Sequence, residues 1–451
     1  MVTVDRPVAV VTLFLLQVFA VSASAGVVKI TPERELSPQP AAVAERRVVD
    51  PGETRQVTGA GKIPGAALAS RLAARNADGK ITGVVLDART GRTLFDAGST
   101  KAAVPASTTK IVTSAAALAV LDPGMTLRTR VVRKGDRLVL VGGGDPTLSS
   151  KAKPTSYPRP ASVADLARQT ADALKTEGVG AVTVDYDASL YQGSDMGPGW
   201  KPTYVTEGSV APIAALMVDN GRSAPNPCEG TVTPADNGPK AATQAFARYL
   251  NQYGVATTVG RPASGSGGQD VASVDSPPVA ELVEHLMQCS DNEVAEAMAR
   301  QVALKKDLPA SFEGASRAVR ETLQSLGMAQ GVATVDGSGL SPQNRITPLA
   351  LARLVSFTAS GKRPELGTVL TGMPVGGFSG TLSERFLGMP SAGLVRAKTG
   401  TLNGVATLAG VAYDSTGRLL SFAFMANDAA DLGAARVALD QLADTVVTCA
   451  C

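Results

Sequence analysis

The sequence predicts an α+β fold: a five-stranded antiparallel sheet flanked by helices, with β-rich material inserted into it. Three observations lead there. Two alternating apolar runs, Ile81–Leu86 and Arg92–Asp96, flank an Arg-Thr-Gly turn and read as a hairpin. Three strand-like runs close the chain, Leu394–Lys398, Val405–Tyr413 and Leu419–Met425, with turns at Asn403-Gly404 and Ser415-Thr416-Gly417 between them. Helical periodicity fills much of the interval, so one sheet can join both ends of the chain and carry helices on its two faces.

The elements follow in order. Arg6 precedes an apolar run, Val8 to Val21, and Ala23-Ser24-Ala25 stand before Gly26. A basic start, a short apolar stretch and a small-residue exit read as a signal peptide over residues 1–25, cleaved after Ala25. The other reading is a retained anchor, for which the run is short against the ~20 residues of a spanning helix. Residues 26–62 are rich in Pro, Gly, Glu and Arg without apolar periodicity and read as a tether. A short helix is expected over Pro64–Ala74. The stretch V-P-A-S-T-T-K then leads into an apolar run, Ile111 to Leu121, stopped by Asp122-Pro123-Gly124; this is a buried helix with Ser107 at its start.

From Leu127 to about Ser276 the texture becomes β-rich, with short strands such as Arg137–Val141, Gly180–Tyr186 and Val255–Val259 among Gly/Pro loops. Helices return at Val279–Met287, Asn292–Ala303, Ala315–Leu326 and Pro348–Ala359, and a last one spans about Gly433–Thr448.

Composition narrows the chemistry. The 451 residues suffice for about three domains at ~150 residues each. Aromatic residues are 4%, so the core must be built from Ala, Val and Leu. A formal charge of +3 makes no strongly basic face, so nucleic acid is not an expected partner. The one histidine, His285, excludes His-rich metal sites, and no metal or other cofactor is expected. It lies on an otherwise apolar helical stretch and reads as a structural histidine, so hydrolytic chemistry needs another base.

Three motifs supply one. Ser107-Thr108-Thr109-Lys110 is S-x-x-K at a helix start, where residues i and i+3 share a face and Lys110 can reach the Ser107 hydroxyl. A second copy, Ser150 to Lys153, sits in a Lys/Pro loop with no helix to align it and reads as solvated. Ser290-Asp291-Asn292 offers a hydroxyl and an amide between helices; alone it reads as a helix cap. Lys398-Thr399-Gly400 ends a strand with a cation and a hydroxyl suited to a substrate carboxylate; alone it is an ordinary strand end, and Gly400 is expected to let a substrate backbone approach closely. In this order the three form the set found in serine β-lactamases and penicillin-binding proteins, which do acyl transfer without histidine.

More of the chain resembles one group: the class C low-molecular-mass penicillin-binding proteins, exported D-alanyl-D-alanine carboxypeptidase/endopeptidases. The resemblance rests on L-V-L-V-G-G-G-D-P-T-L at 138–148, P-G-W at 198–200, A-P-I-A-A-L-M-V-D-N at 211–220, D-G-S-G-L-S at 336–341, M-P-V-G-G-F-S-G-T-L at 373–382 and A-K-T-G-T-L-N-G-V at 397–405, and runs from about residue 64 to 440. It implies a penicillin-binding catalytic domain over 63–126 and 277–451, a reduced β-rich insertion over 127–144 and 221–276, and a nested subdomain over 145–220. It implies that Ser107 attacks the carbonyl between two D-alanines and that Lys110 takes its proton. Ser290 then passes the proton to the leaving D-alanine, Asn292 holds the acyl-chain amide, and Lys398, Thr399 and Thr401 bind the terminal carboxylate. The backbone amides of Ser107 and Thr401 form the oxyanion hole, each donor worth ~3–4 kcal/mol. The implied partners are peptidoglycan stem peptides and β-lactams, the latter as covalent inhibitors. The implied location is outside the cytoplasm, with peripheral contact to the envelope.

Two features depart from the group's pattern. The interval from Ser107 to Ser290 is short, and Thr203-Tyr204 stand after P-G-W where an acid often holds a distal amine of the substrate, so a weaker preference for a free distal amine is expected, with Asp195 and Glu207 as the candidate substitutes. The competing readings are a serine β-lactamase or esterase with the same three motifs, and a wall-binding protein without catalysis. Cys228 and Cys289 both fall near the expected cleft, so export makes a bridge between them the expected one. Cys449 and Cys451 are too close to bridge without strain.

Overall fold

The computed structural model describes residues 65–75, 81–222, 228 and 237–449, all within the unit Lys62–Cys451. The expected signal peptide, the tether and Cys451 lie outside the described residues. Helix α1 (Gly65–Arg75) precedes the hairpin of β1 (Ile81–Asp87) and β2 (Thr93–Ala97), and α2 (Thr109–Val120) carries the apolar run. The inserted segment follows as β3 (Arg128–Lys134), β4 (Arg137–Val141), α3 (Val163–Thr176), β5 (Ala181–Asp187), α4 (Gly238–Gln252), β6 (Ala256–Pro262) and β7 (Gln269–Asp275). The chain then forms α5 (Val279–Cys289), α6 (Asn292–Lys305), α7 (Phe312–Ser325), the strand pair β8 (Val332–Ala333) and β9 (Arg345–Ile346), and α8 (Pro348–Ala359). It closes with β10 (Val395–Leu402), β11 (Val405–Tyr413), β12 (Leu419–Ala426) and α9 (Leu432–Thr448).

One antiparallel sheet unites the two ends in the order β10-β11-β12-β1-β2, as the hairpin and the meander require. β1 pairs β12 from Ile81 opposite Ala426 to Asp87 opposite Leu420. Successive side chains point to opposite faces. Val84, Ala423 and Met425 therefore pack against α2, α5, α6, α7 and α8, whereas Val85, Phe422 and Phe424 pack against α1 and α9. Helices on both faces explain why every residue of β11 except Tyr413 is buried and why it reads as a continuous apolar run.

The insertion differs from its expected β-rich character in a definite way. Its sheet has the order β6-β5-β4-β3-β7, with β4, β5 and β6 parallel. Parallel neighbours need a crossover, and α3 and α4 provide one each. α3 buries Val163, Leu166, Ala167, Thr170, Ala171 and Leu174, one face of a helix capped by Ser162, whose hydroxyl accepts the Ala164 N–H at 3.1 Å. α4 contributes Ala242, Ala245, Phe246 and Leu250 to the same core. The expected separation of a nested subdomain 145–220 is not followed by the sheet either: β5 lies between β4 and β6 in the same ladder.

Candidate active site

Ser107 sits in one turn of 3-10 helix, Ala106–Thr108, that runs into α2. Ala106 adopts φ 48°, in the left-handed region. Neighbouring segments hold the turn in place. Thr407 of β11 donates its hydroxyl to the Pro105 carbonyl at 2.8 Å. A Cβ on Gly339 would lie 2.0 Å from the Ala106 carbonyl oxygen, and one on Gly400 would lie 2.2 Å from Thr407 Oγ1 and 3.0 Å from the Ser107 nitrogen. The missing side chain of Gly400 thus makes room for the nucleophile's own turn and for β11.

Lys110 lies one helical turn further, fully buried. Its Nζ donates to Ser107 Oγ at 3.1 Å, Asn292 Oδ1 at 2.6 Å and the Ser338 carbonyl at 2.7 Å. Burial lowers its pKa from the ordinary amine value to about 8, against the opposing pull of Asp336, Asp291, Glu296 and Glu293. A lysine at such a value can take a proton from a hydroxyl near neutral pH.

The S-x-N segment is both a cap and a site, divided among its residues. Asp291 is the cap: its Oδ1 accepts the Val294 N–H at 2.9 Å and starts α6. Ser290, which ends α5, takes the left-handed conformation at φ 58°, and the chain reverses there. Asn292 donates Nδ2 to the Ser209 carbonyl at 2.8 Å, while its Oδ1 receives Lys110. The remaining Asp291 oxygen is held by His285 Nε2 at 3.1 Å and by Asn220 Nδ2. Burial pushes the Asp291 carboxyl up, but the bond and charge of His285, the Val294 amide and Arg222 outweigh it and hold it below the ordinary value. His285 is thus a buried partner of the cap, as a structural histidine should be.

Cys289, immediately before Ser290, is bridged to Cys228 across 61 residues. Cys449 is also disulfide-bonded. Closing a loop of this length contributes about 4 kcal/mol in the chain-entropy picture. Cys228→Ser should lower the unfolding free energy by roughly that amount in denaturant titration; a loss below about 1 kcal/mol would show that the bridge adds little.

Lys398 belongs to β10, the edge strand of the main sheet. It is fully buried and donates to Ser290 Oγ at 2.9 Å and the Thr399 carbonyl at 2.8 Å. Burial, then Lys110 and Arg385, hold its pKa well below the ordinary amine value. Thr399 Oγ1 lies 2.8 Å from Thr381 Oγ1, and Thr401 Oγ1 accepts Arg436 Nη2 at 3.3 Å. Ala397 spends its outward N–H on the Pro374 carbonyl. Edge amides alternate in direction along a strand, so the Thr399 and Thr401 N–H groups face the same side.

The loop Asp336–Ser341 is a part of the site that motif reading alone did not assign. Glu296 accepts the Gly337 and Ser338 amides at 2.9 and 2.8 Å, which aims the Ser338 carbonyl at Lys110. Asp336 accepts the Gly339 and Ser341 amides and the Trp200 indole N–H, the last at 2.8 Å. The signal was present in D-G-S-G-L-S: an acid and two glycines in a short loop between helices mark a backbone held tightly by its own side chains. The second S-x-x-K copy lies apart, in a loop tied by the Tyr249 hydroxyl to the Ser150 carbonyl. Thr203 and Tyr204 fall in a four-residue helical turn with Tyr204 buried; Asp195 is exposed, and Glu207 lines a cavity beside Asn292.

The pattern of the D-Ala-D-Ala carboxypeptidase 3 (S13) family matches residues 65–238 and 229–446. The chain belongs to that family. It is 39% identical over 399 residues to the carboxypeptidase DacB of Mycolicibacterium smegmatis, covering 85% of this chain and 84% of the relative. It is also 39% identical over 386 residues to the carboxypeptidase Rv3627c of Mycobacterium tuberculosis, covering 83% of this chain and 81% of the relative. Penicillin-binding protein 4 of Haemophilus influenzae superimposes with a TM-score of 0.69 at 22% identity, over 84% of this chain and 97% of that one, and shares the fold. The S13 chain described here is accordingly a serine-type D-Ala-D-Ala carboxypeptidase.

Proposed function

We propose that the enzyme cleaves the terminal D-alanine from peptidoglycan stem peptides through an acyl-enzyme on Ser107, outside the cytoplasm. The observation that carries this reading is the 3.1 Å bond between Lys110 Nζ and Ser107 Oγ, while His285 is engaged with Asp291. Lys110 takes the hydroxyl proton as Ser107 attacks the scissile carbonyl. The Ser107 amide and the Thr401 amide on the open edge of β10 stabilise the oxyanion. The proton passes by way of Ser290, which Lys398 holds at 2.9 Å, to the departing amine. Asn292 keeps the acyl-chain amide in register. Water then frees Ser107.

Lys398, Thr399 and Thr401 receive the terminal carboxylate. An incoming anion favours the charged form of Lys398, which burial and Lys110 disfavour in the free enzyme. Lys398→Ala should therefore weaken peptide and penicillin acylation together, by about a hundredfold, or about 2.7 kcal/mol. An ester lacking the carboxylate should lose little with the same variant. Equal rates in the wild type with and without the carboxylate would show that the role is wrong.

β-Lactams carry the same carboxylate beside a reactive amide, and they should acylate Ser107. The same chemistry extends to cross-linked stems, in which the departing amine belongs to a second peptide, so endopeptidase action is included. The test is incubation with a pentapeptide stem and with a cross-linked dimer, scoring released D-alanine and released monomer, alongside fluorescent penicillin. Slow release of the penicilloyl group is expected; rapid turnover would assign a β-lactamase instead.

A further inference from the structure

The amine of Lys110 meets three oxygens among the described residues: Ser107 Oγ, Asn292 Oδ1 and the Ser338 carbonyl. The last two can accept a hydrogen bond but not donate one. Asn292 is fixed with its oxygen toward the lysine because its Nδ2 donates to the Ser209 carbonyl. A free amine carries two hydrogens and one lone pair. When these two acceptors take both hydrogens, the lone pair is left for Ser107. If either acceptor is displaced, the amine can turn a hydrogen to Ser107 Oγ, and it then faces the nucleophile as a donor and not as a base.

The support for the Ser338 carbonyl lies on α6. Asn292, Glu296 and Arg300 are spaced by four residues and form one stripe of that helix. Glu296 Oε1 accepts the Gly337 and Ser338 amides, and Thr113 of α2 donates its hydroxyl to the Gly337 carbonyl at 2.6 Å. Arg300 Nη1 donates to Glu296 Oε2 at 3.1 Å. Its guanidinium carbon lies 4.1 Å from the centre of the Phe312 ring and 5.2 Å from that of Tyr191. Trp200 meets the edge of the same Phe312 and gives its N–H to Asp336, so residues of the insertion help to seat the pair.

Glu296 and Arg300 are both fully buried. Burial and Asp336 push the Glu296 carboxyl up, whereas Arg300 and the Ser338 amide oppose them. A buried ion pair is seldom more stabilising than apolar side chains of the same volume, so stability alone does not account for this one.

We propose that Glu296 and Arg300 are positioning residues for acylation: they hold the Ser338 carbonyl on Lys110, so that the free amine keeps its lone pair on the Ser107 hydroxyl. The inference rests on the acyl-enzyme reading above and deepens it. In the step they serve, the Ser107 O–H bond breaks, its proton passes to the Lys110 lone pair, and Ser107 Oγ bonds to the carbonyl carbon. Arg300 holds Glu296, Glu296 holds the loop, and neither touches the substrate.

The experiment compares two double variants of the full chain, Glu296→Gln with Arg300→Met and Glu296→Met with Arg300→Met. Both remove the same two charges and keep similar volumes. The first retains a side-chain oxygen for the Gly337 and Ser338 amides; the second does not. Stopped-flow acylation by a fluorescent penicillin reads the amplitude, which counts folded enzyme, and the rate constant at saturation, which reports the positioning. The acid limb set by Lys110 should move to lower pH by the same amount in both, because each loses the charge of Glu296. On the plateau above that limb, the Met/Met rate constant should lie about fiftyfold below that of Gln/Met, with the half-saturating penicillin concentration unchanged. Thr113→Val loosens the same loop from its other side and should lower the saturating rate constant about fivefold without moving the limb; it decides the matter if a double variant does not fold. Equal plateau rate constants in the two double variants, or a wild-type rate constant in Thr113→Val, would overturn the positioning role while leaving the acyl-enzyme reading intact. Failure of the wild type to form any adduct on Ser107 would overturn both.

Discussion

Ser107→Ala should abolish covalent labelling by a fluorescent penicillin and lower kcat/KM for D-alanine release by at least about 10⁴-fold, equal to about 5.4 kcal/mol. The magnitude follows from the division of labour in the site. The Ser107 hydroxyl is the only atom proposed to form a bond with the substrate, and Lys110, Ser290 and the oxyanion donors act on a step that does not exist without it. The fold should persist. The turn that carries Ser107 is held by Thr407 on the Pro105 carbonyl and by the close fit of Gly339 and Gly400, none of which uses the hydroxyl. Near-native circular dichroism and melting temperature therefore belong to the expected result. Peptide mapping of the labelled wild type should find the penicilloyl group on Ser107. A label on Ser150, the serine of the second S-x-x-K copy, would sink the assignment, as would residual labelling of the alanine variant.

The main sheet was legible because its two ends carry their own turn chemistry. Arg-Thr-Gly and Asn-Gly mark the reversals, and the long runs of β11 and β12 belong to strands buried on both faces. The helices α3 and α4 were not legible as such, although α3 has a serine cap and a clean i, i+3, i+4 stripe. Alanine and threonine interrupt the larger apolar residues on their buried faces, and the Gly/Pro loops around them resemble the spacing of an all-β segment. Ser107, Lys110, Ser290, Asn292 and Lys398 could be found because each motif is short and ordered in sequence. The structure joins them by direct bonds across separations of up to 182 residues, as between Lys110 and Asn292. What the motifs do not encode is the support behind them. Glu296 aims the Ser338 carbonyl at Lys110 through the Gly337 and Ser338 amides, and Asp336 meets Trp200 from 136 residues away. Such contacts depend on tertiary packing, and no local spacing announces them. Gly400 shows the same limit from the other side: its need for a missing Cβ was readable, but the neighbour that imposes it was not.

Acylation should rise with pH through about 8, because the proton-accepting form of Lys110 is the free amine. The sign follows directly. Burial without a fully compensating anion disfavours the ammonium, so the value is depressed, and the competent fraction grows as pH increases through it. Two units below the midpoint only about 1% of the enzyme carries the free amine, so kcat/KM at pH 6 should be roughly fiftyfold below that at pH 8. Lys110→Met should lose at least about a thousandfold at pH 8, equal to about 4.1 kcal/mol, and its residual rate should no longer follow this limb. The carboxylates around Lys110 provide a second, graded test. Asp336, Asp291, Glu296 and Glu293 all favour the charged form, with Asp336 foremost. Asp336→Asn removes that charge while keeping an oxygen that can accept the Gly339 amide, which Asp336 now holds at 2.9 Å. The acid limb should then move to lower pH, and activity at pH 6 should rise relative to that at pH 8. A purely structural loss would scale the whole profile down without moving it, so the position of the limb, read beside the melting temperature, separates the two. A limb that stays in place in Asp336→Asn, or one centred well below pH 7 in the wild type, would mean that a group other than Lys110 takes the proton from Ser107.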